Sequence, residues 1–309
     1  MSRPKPQDTR IRLLFGDVCW EIRFAEGLEP LASRFLPLFS GFLTDCRRVD
    51  AVLHVACDFR TKVKRPPAVP ASMTPDDGKL SAMSPALERH FGIDPFTTPV
   101  VAFKNGCLAY RGMSNEGHFL FYNTRRFNNF SGTFYKLFYL FACLVIAEKG
   151  GLVVHGTGFD LGGEGALFLG GSGAGKTTVA STAPLERVLS DDGPVVRRDK
   201  RGDFYIYASP FRQIHAFNGV ESDDRQKKSP LRNIYFLKKS AMFDILPRDR
   251  VHALAEMVLQ HIHAFPLMSP HLKKAVFLFV HELFSSVGTF DLHFRRDDPV
   301  WKAVSGRGQ

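Results

Sequence analysis

Apolar and polar positions in the first half of the chain fall into short alternating runs separated by turn residues. Residues 11–24 (IRLLFGDVCWEIRF) read as two strands joined at Gly16-Asp17, a hairpin signal. A helix is expected near Pro30–Leu43, limited by Pro37, and a strand over 49–59. From Thr61 to Pro99 no period stands out, and only a short helix near Pro85–Phe91 is expected. Residues 100–123 again read as strands, broken at Asn105-Gly106 and at Asn115-Glu116-Gly117. Ser131–Lys149 is the clearest helix, nearly all apolar in its middle and stopped by Gly150-Gly151. A helix apolar on most sides is a buried one.

The second half is patterned more sharply. Leu152–Phe159 and Ala166–Leu169 read as strands around a turn at Gly162–Gly165, followed by a Gly-rich turn and a helix from about Gly175 to Ala183, ended by Pro184. A short strand at Val188–Leu189 is expected next, then a hairpin of Val195–Arg198 with Phe204–Ala208 and a strand over 232–238. Helices over about 248–264 and 270–286 and a closing strand at Thr289–Arg295 complete the series. Strands before, around and after the Gly-rich turn predict an α/β fold (α+β, mixed sheet) in two parts. Residues 1–130 form an N-terminal α/β module and 131–309 a second domain.

Composition adds three constraints. The 29 phenylalanines among 309 residues, against 2 Trp and 7 Tyr, are core material. The net charge of +10 is spread over both halves, with 20 basic and 14 acidic residues in 1–150 and 21 and 17 in 151–309. No basic arm stands out, so no nucleic-acid partner is expected. The five cysteines are far apart with no CxxC pair, which argues against a disulfide framework and a zinc knuckle. Residues 1–10 are polar and charged, and the longest apolar run, Leu137–Ala147, is too short for a bilayer, so a cytoplasmic protein without membrane contact is expected.

Gly170-Gly171-Ser172-Gly173-Ala174-Gly175-Lys176-Thr177 fits the P-loop pattern G-x-x-x-x-G-K-[ST]. A phosphate cradle needs backbone N–H groups turned inward, hence glycines able to adopt positive φ, with a helix starting behind them. Lys176 is then placed for the β/γ-phosphates and the Thr177 hydroxyl for Mg²⁺. Downstream, Val188-Leu189-Ser190-Asp191-Asp192 is a short apolar strand ending in two carboxylates. One can hold metal while the other takes a proton from an attacking hydroxyl. A solvated Asp-Asp-Gly turn has the same pattern. His155, at a strand end, is by itself more often structural.

Taken together, Val153-Val154-His155-Gly156, Phe159-Asp160, Gly162-Gly163, the P-loop and Leu189–Asp192 resemble the HPr kinase/phosphorylase catalytic domain and the kinase-like proteins built on it. The resemblance is specific over about residues 150–210. It implies a fold related to phosphoenolpyruvate carboxykinase and ATP- and Mg²⁺-dependent phosphorylation of a seryl hydroxyl. It further implies that Gly170 to Thr178 bind nucleotide, that Thr177 holds the metal, and that one of Asp191 and Asp192 is the base and the other a metal-linked carboxylate. Asp192 is assigned as the base, with His155 against it, and Asp191 to the metal. Thr178 stands where HPr kinases often carry Glu, and their Gly-rich phosphorolysis signature after the Asp pair is missing. In the kinase-like branch the acceptor is a Ser of a protein or ribosomally made precursor peptide.

Other residues carry weaker signals. Arg212 is a candidate clamp on the transferring phosphoryl group. Arg225, Lys227 and Lys228 form a basic loop that reads first as a solvated surface. His261 and His263, two apart on an expected helix, do not face together. His281-Glu282 lacks the second His of a zinc site. The rival functions are a small-molecule kinase, acting for example on free serine or a sugar, and a catalytically silent nucleotide-binding subunit. A homo-oligomer is compatible with either.

Overall fold

The computed structural model describes residues 9–62, 77–103, 105–122, 130–211, 227–298 and 300–305. The chain packs as two compact units, 1–145 and 146–309. The division falls inside the apolar helix, whereas the sequence put it ahead of that helix.

Among its described residues the first unit is a six-stranded mixed sheet with three α-helices. The strands are β1 (Thr9–Phe15), β2 (Val18–Phe24), β3 (Ala51–Cys57), β4 (Val100–Phe103), β5 (Gly106–Arg111) and β6 (Glu116–Phe121), in the order β1-β2-β3-β6-β5-β4. The first turn is the expected one: Gly16 and Asp17 have φ of 60° and 52°, the pair of positive values a two-residue hairpin demands. β2, β3 and β6 run parallel, and the remaining pairs are antiparallel. The helices are α1 (Glu29–Phe39), α2 (Asp77–Phe91) and α3 (Phe130–Glu148). α2 is longer than expected, with Pro85 inside it.

Part of the Phe content forms one ring cluster in the first unit. Phe15 stacks on Trp20 at 4.7 Å, Phe35 on Phe134 at 4.0 Å, and Phe138 and Phe141 of α3 meet Trp20 edge-on. These rings are buried, so α3 is tied to the first unit by aromatic packing. Cys19 and Cys46 are disulfide-bonded, with Cα atoms 6.6 Å apart, which corrects the expectation drawn from their spacing. The segment leading to β3 is laid along β2, where Cys19 and Asp50 exchange backbone and side-chain hydrogen bonds of 2.8 and 3.0 Å. Separation in sequence said nothing of that return.

The second unit holds β7 (Gly151–Val153), β8 (Thr157–Asp160), β9 (Gly165–Leu169), β10 (Val188–Ser190), β11 (Val195–Arg198), β12 (Phe204–Tyr207), β13 (Lys228–Lys239), β14 (Asp244–Pro247) and β15 (Gly288–Phe294). Its helices are α4 (Lys176–Thr182), α5 (Arg250–Glu256), α6 (Pro270–Ser286) and α7 (Val300–Ser305). The strand path is β10-β8-β9-β13-β12-β11-β7, with β15 also on β13 and β14 on β15. The architecture is a mixed α/β one, as expected. The long β13 makes it possible: its first residues pair antiparallel with β12, its later ones parallel with both β9 and β15.

The apolar run 152–159 is not one strand. It breaks at Val154-His155-Gly156, so β7 pairs with β11 while β8 pairs with β9 and β10, at the other end of the path. Gly156 permits the break, since a Cβ there would sit 2.8 Å from Leu169 Cδ2 and from the Phe168 carbonyl oxygen. Among the described residues no helix is long and apolar enough to cross a membrane.

Candidate functional site

Two backbone features of the second unit meet at His155. One is the break between β7 and β8. The other is the turn Asp191-Asp192-Gly193 between β10 and β11. They run side by side: Val154 N–H donates to the Pro194 carbonyl (3.0 Å) and Gly156 N–H to the Asp192 carbonyl (3.3 Å). This alignment brings the His155 Nδ1 within 3.2 Å of Asp192 Oδ1, so two candidates from distant parts of the sequence are adjacent.

The Asp turn is held by buried hydroxyls. Ser190 Oγ donates to the Phe211 carbonyl at 2.6 Å and accepts from Gly193 N–H at 3.0 Å and Asp192 N–H at 3.5 Å. Ser209 Oγ donates to the Gly193 carbonyl at 2.6 Å, and Thr157 Oγ1 to that of Asp191 at 3.4 Å. Asp191 and Asp192 are themselves buried. The solvated Asp-Asp-Gly turn therefore does not describe this site. Burying carboxylates costs free energy unless partners compensate.

The Gly-rich turn links β9 to α4. Gly173 and Gly175 take φ of +76° and +106°, which only glycine adopts freely. At Gly175 a Cβ would also stand 2.7 Å from Phe294 Cζ. Around Gly171 and Gly173, by contrast, a Cβ would meet nothing within 4 Å among the described residues, which leave this side of the loop open. Gly171 and Ser172 are exposed, Ala174 is partly buried and in turn with Gly171, and Lys176, Thr177 and Thr178 open α4. Lys176 folds back over the loop, its Nζ donating to the Gly170 carbonyl at 2.6 Å and to that of Gly171 at 3.3 Å. Partial burial pushes the Lys176 ammonium down from its usual value, and the Asp192 carboxylate opposes that shift. The cation and the carboxylate thus share one electrostatic neighbourhood.

Asp160, Gly162 and Gly163 have a structural task. Asp160 Oδ1 accepts from both glycine N–H groups, at 2.9 and 2.6 Å, and closes the β8–β9 hairpin. Arg212 and Arg225 lie outside the described residues. Lys228 lies over the rings of Tyr205 and Tyr207, at 5.4 and 5.3 Å.

His261 and His263 are the residues that sequence reasoning set aside. α5 ends at Glu256 and passes into a wider π-helical turn, Met257–His261, after which Ile262 leaves helical geometry. His263 is therefore beyond the helix, and α-helical spacing does not govern it. His155 N–H donates to the His261 carbonyl at 2.8 Å, and His261 Nδ1 lies 2.9 Å from the His155 carbonyl. The rings of His155 and His263 stack at 4.4 Å. Burial pushes the His261 imidazole down to about 4. His263, although an exposed residue, is pushed down to about 4 by desolvation and then by His155.

Residues 136–276 match the family model described as SynChlorMet cassette protein ScmC. The matched stretch is just under half of the chain. It contains His155, the Gly-rich loop, the Asp pair, His261 and His263. No curated protein matches the chain.

Proposed function

We propose that the second unit is an ATP- and Mg²⁺-dependent phosphotransferase acting on a seryl hydroxyl of a protein or ribosomally made precursor peptide. The observation that carries this reading is the meeting of an open Gly-rich loop and its desolvated Lys176 with a buried Asp192 backed by His155. A cation for phosphate and an acceptor for a proton are the two groups a phosphoryl transfer to a hydroxyl requires. The resemblance of these motifs to HPr kinase/phosphorylase supports the same reaction. The description of ScmC as a cassette protein is compatible with a role in peptide modification.

The loop amides from Gly170 to Gly175 and Lys176 would hold the β/γ-phosphates. Asp192 would accept the proton of the incoming hydroxyl as its oxygen bonds to the γ-phosphorus and the bond to the β-phosphate oxygen breaks, releasing ADP. His155 would hold the Asp192 carboxylate in place. The donors offered for Mg²⁺, the Thr177 hydroxyl and the Asp191 carboxylate, are oxygens, as that ion prefers. One or two protein ligands completed by phosphate oxygens are its usual set in such sites. The ion would neutralise charge developing on the phosphate oxygens. Catalysis would rest on positioning and electrostatics.

The test is phosphopeptide mass spectrometry on host lysate treated with Mg-ATP and either the wild-type chain or Lys176→Ala. A phosphoserine peptide that appears with wild type alone is expected, and it would name the acceptor. Equal phosphopeptides in both samples would overturn the reading. Transfer to a small hydroxylated metabolite, or nucleotide binding without transfer, would establish one of its rivals.

A further inference from the structure

His155 occupies the break between two strands, where its carbonyl has no ladder partner of the ordinary kind. A carbonyl that leaves the ladder needs another donor. His261 supplies it. A carbonyl only accepts, so His261 Nδ1 must carry the hydrogen of the 2.9 Å contact. The bond is reciprocated by His155 N–H on the His261 carbonyl at 2.8 Å, so residue 155 is pinned on both sides of its backbone by residue 261.

An imidazole is a costly choice for this purpose. His261 is fully buried, and among the described residues its Nε2 has no hydrogen bond. Glu256 Oε1 stands 3.8 Å from that nitrogen, beyond hydrogen-bond reach, and Glu256 is held by Arg248 at 2.6 Å. An apolar residue would fill the same space without the penalty of a buried unpaired nitrogen. What it would lack is the donor to His155. Two residues on, His263 covers one face of the His155 ring at 4.4 Å, with an angle of 28° between the planes. The backbone contact and the ring contact fix different freedoms. The first sets where the side chain starts, the second its rotation.

We infer that His261 and His263 are positioning residues that clamp His155, one on its main chain and one on its ring, so that Nδ1 donates to Asp192. The carboxylate accepts, so Nδ1 of His155 carries the hydrogen of this contact, and in a neutral ring Nε2 is then the lone-pair nitrogen. The catalytic part of this inference rests on the phosphotransferase reading; the clamp itself does not.

The test reads the two separately. Long-range ¹H–¹⁵N correlation of the histidine rings near neutral pH reports the His155 tautomer, with His155→Gln assigning its signals. Wild type is expected to show a single Nδ1–H form. His263→Ala should move His155 toward a tautomer mixture, and His263→Phe, which keeps a stacking face, should restore it. His261→Asn, which keeps a short donor, should stay closer to wild type than His261→Leu. His263 is exposed, so its removal should leave the fold intact, and the amide spectrum of the same sample checks it. In transfer assays His263→Ala should lower kcat by about 10- to 100-fold, the scale of a small misplacement, with KM for ATP changed by no more than about twofold. An unchanged His155 spectrum in both His263→Ala and His261→Leu would overturn the clamp, as would a loss in His263→Ala that His263→Phe fails to rescue. Tautomer changes as expected in a wild type that transfers no phosphate would keep the clamp and remove the phosphotransferase.

Discussion

Nδ1 of His155 stands 3.2 Å from Oδ1 of Asp192, and the backbones of the two segments are joined where Gly156 N–H meets the Asp192 carbonyl at 3.3 Å. The two residues arrive from different strands, one at a break and one at a turn. Asp192→Asn preserves the shape of the turn while removing the proton acceptor. Phosphate transfer should fall by about 10²- to 10⁴-fold, the range of a positioned general base, while Mg-ATP still binds. Single-turnover assays beside a binding titration separate the two.

The hydroxyl of Ser190 is expected to matter as much for the turn as for stability. Ser190→Ala removes the donor to the Phe211 carbonyl and the acceptor for Gly193 N–H, both buried. The cost should be about 1–3 kcal/mol, that of leaving buried partners unsatisfied, read from urea unfolding. Transfer activity should fall further than stability alone explains, because the same hydroxyl also receives Asp192 N–H.

Two glycines of the loop should behave oppositely. Gly175→Ala forces a side chain into φ of +106° and onto the Phe294 ring, 2.7 Å away. It should destabilise the protein by about 2 kcal/mol or more. Gly171→Ala meets nothing within 4 Å among the described residues. It should leave the melting temperature unchanged and weaken nucleotide binding, since its methyl group would stand on the open side of the loop. Calorimetry for the melts and a nucleotide titration check both.

Much of this site could be read from the residues alone, and the limits of that reading have physical causes. The loop was legible because a phosphate cradle imposes glycines and a lysine at fixed spacing. The strand break at His155 was not, because Leu152–Phe159 is apolar throughout and hydrophobicity does not mark where a chain changes neighbours. His261 and His263 were dismissed on α-helical spacing. The chain leaves that geometry at Met257, and the bonds that matter go to a residue far away in sequence. β14, on the edge beside β15, carries only one buried residue and offered no period. The Cys19–Cys46 bond likewise depends on a return of the chain that spacing does not encode.

In the first unit, His118 predicts the acid behaviour. It pairs in register with His54 on the neighbouring parallel strand, their rings stacked at 4.9 Å, with Phe91 edge-on at 5.1 Å. Burial, then His54 and Arg111, push it down from 6.5 to about 4. The unfolded chain therefore takes up a proton at His118 between about pH 6.5 and 4 where the folded one does not. Stability from this group is complete above about 6.5 and is lost as pH falls toward 4, by about 3 kcal/mol in all. His118→Phe should flatten the dependence of unfolding free energy on pH in that window. An unaltered slope would assign the acid sensitivity to other groups.

Titration of Mg-ATP into the wild-type chain, Lys176→Ala and Asp192→Asn by isothermal calorimetry asks whether the Gly-rich loop holds a nucleoside triphosphate at all. Saturable one-site binding by wild type and Asp192→Asn, weakened at least about 10-fold in Lys176→Ala by the loss of a charge-assisted contact, is the expected result. No binding by the wild type, or equal affinity in Lys176→Ala, would contradict it.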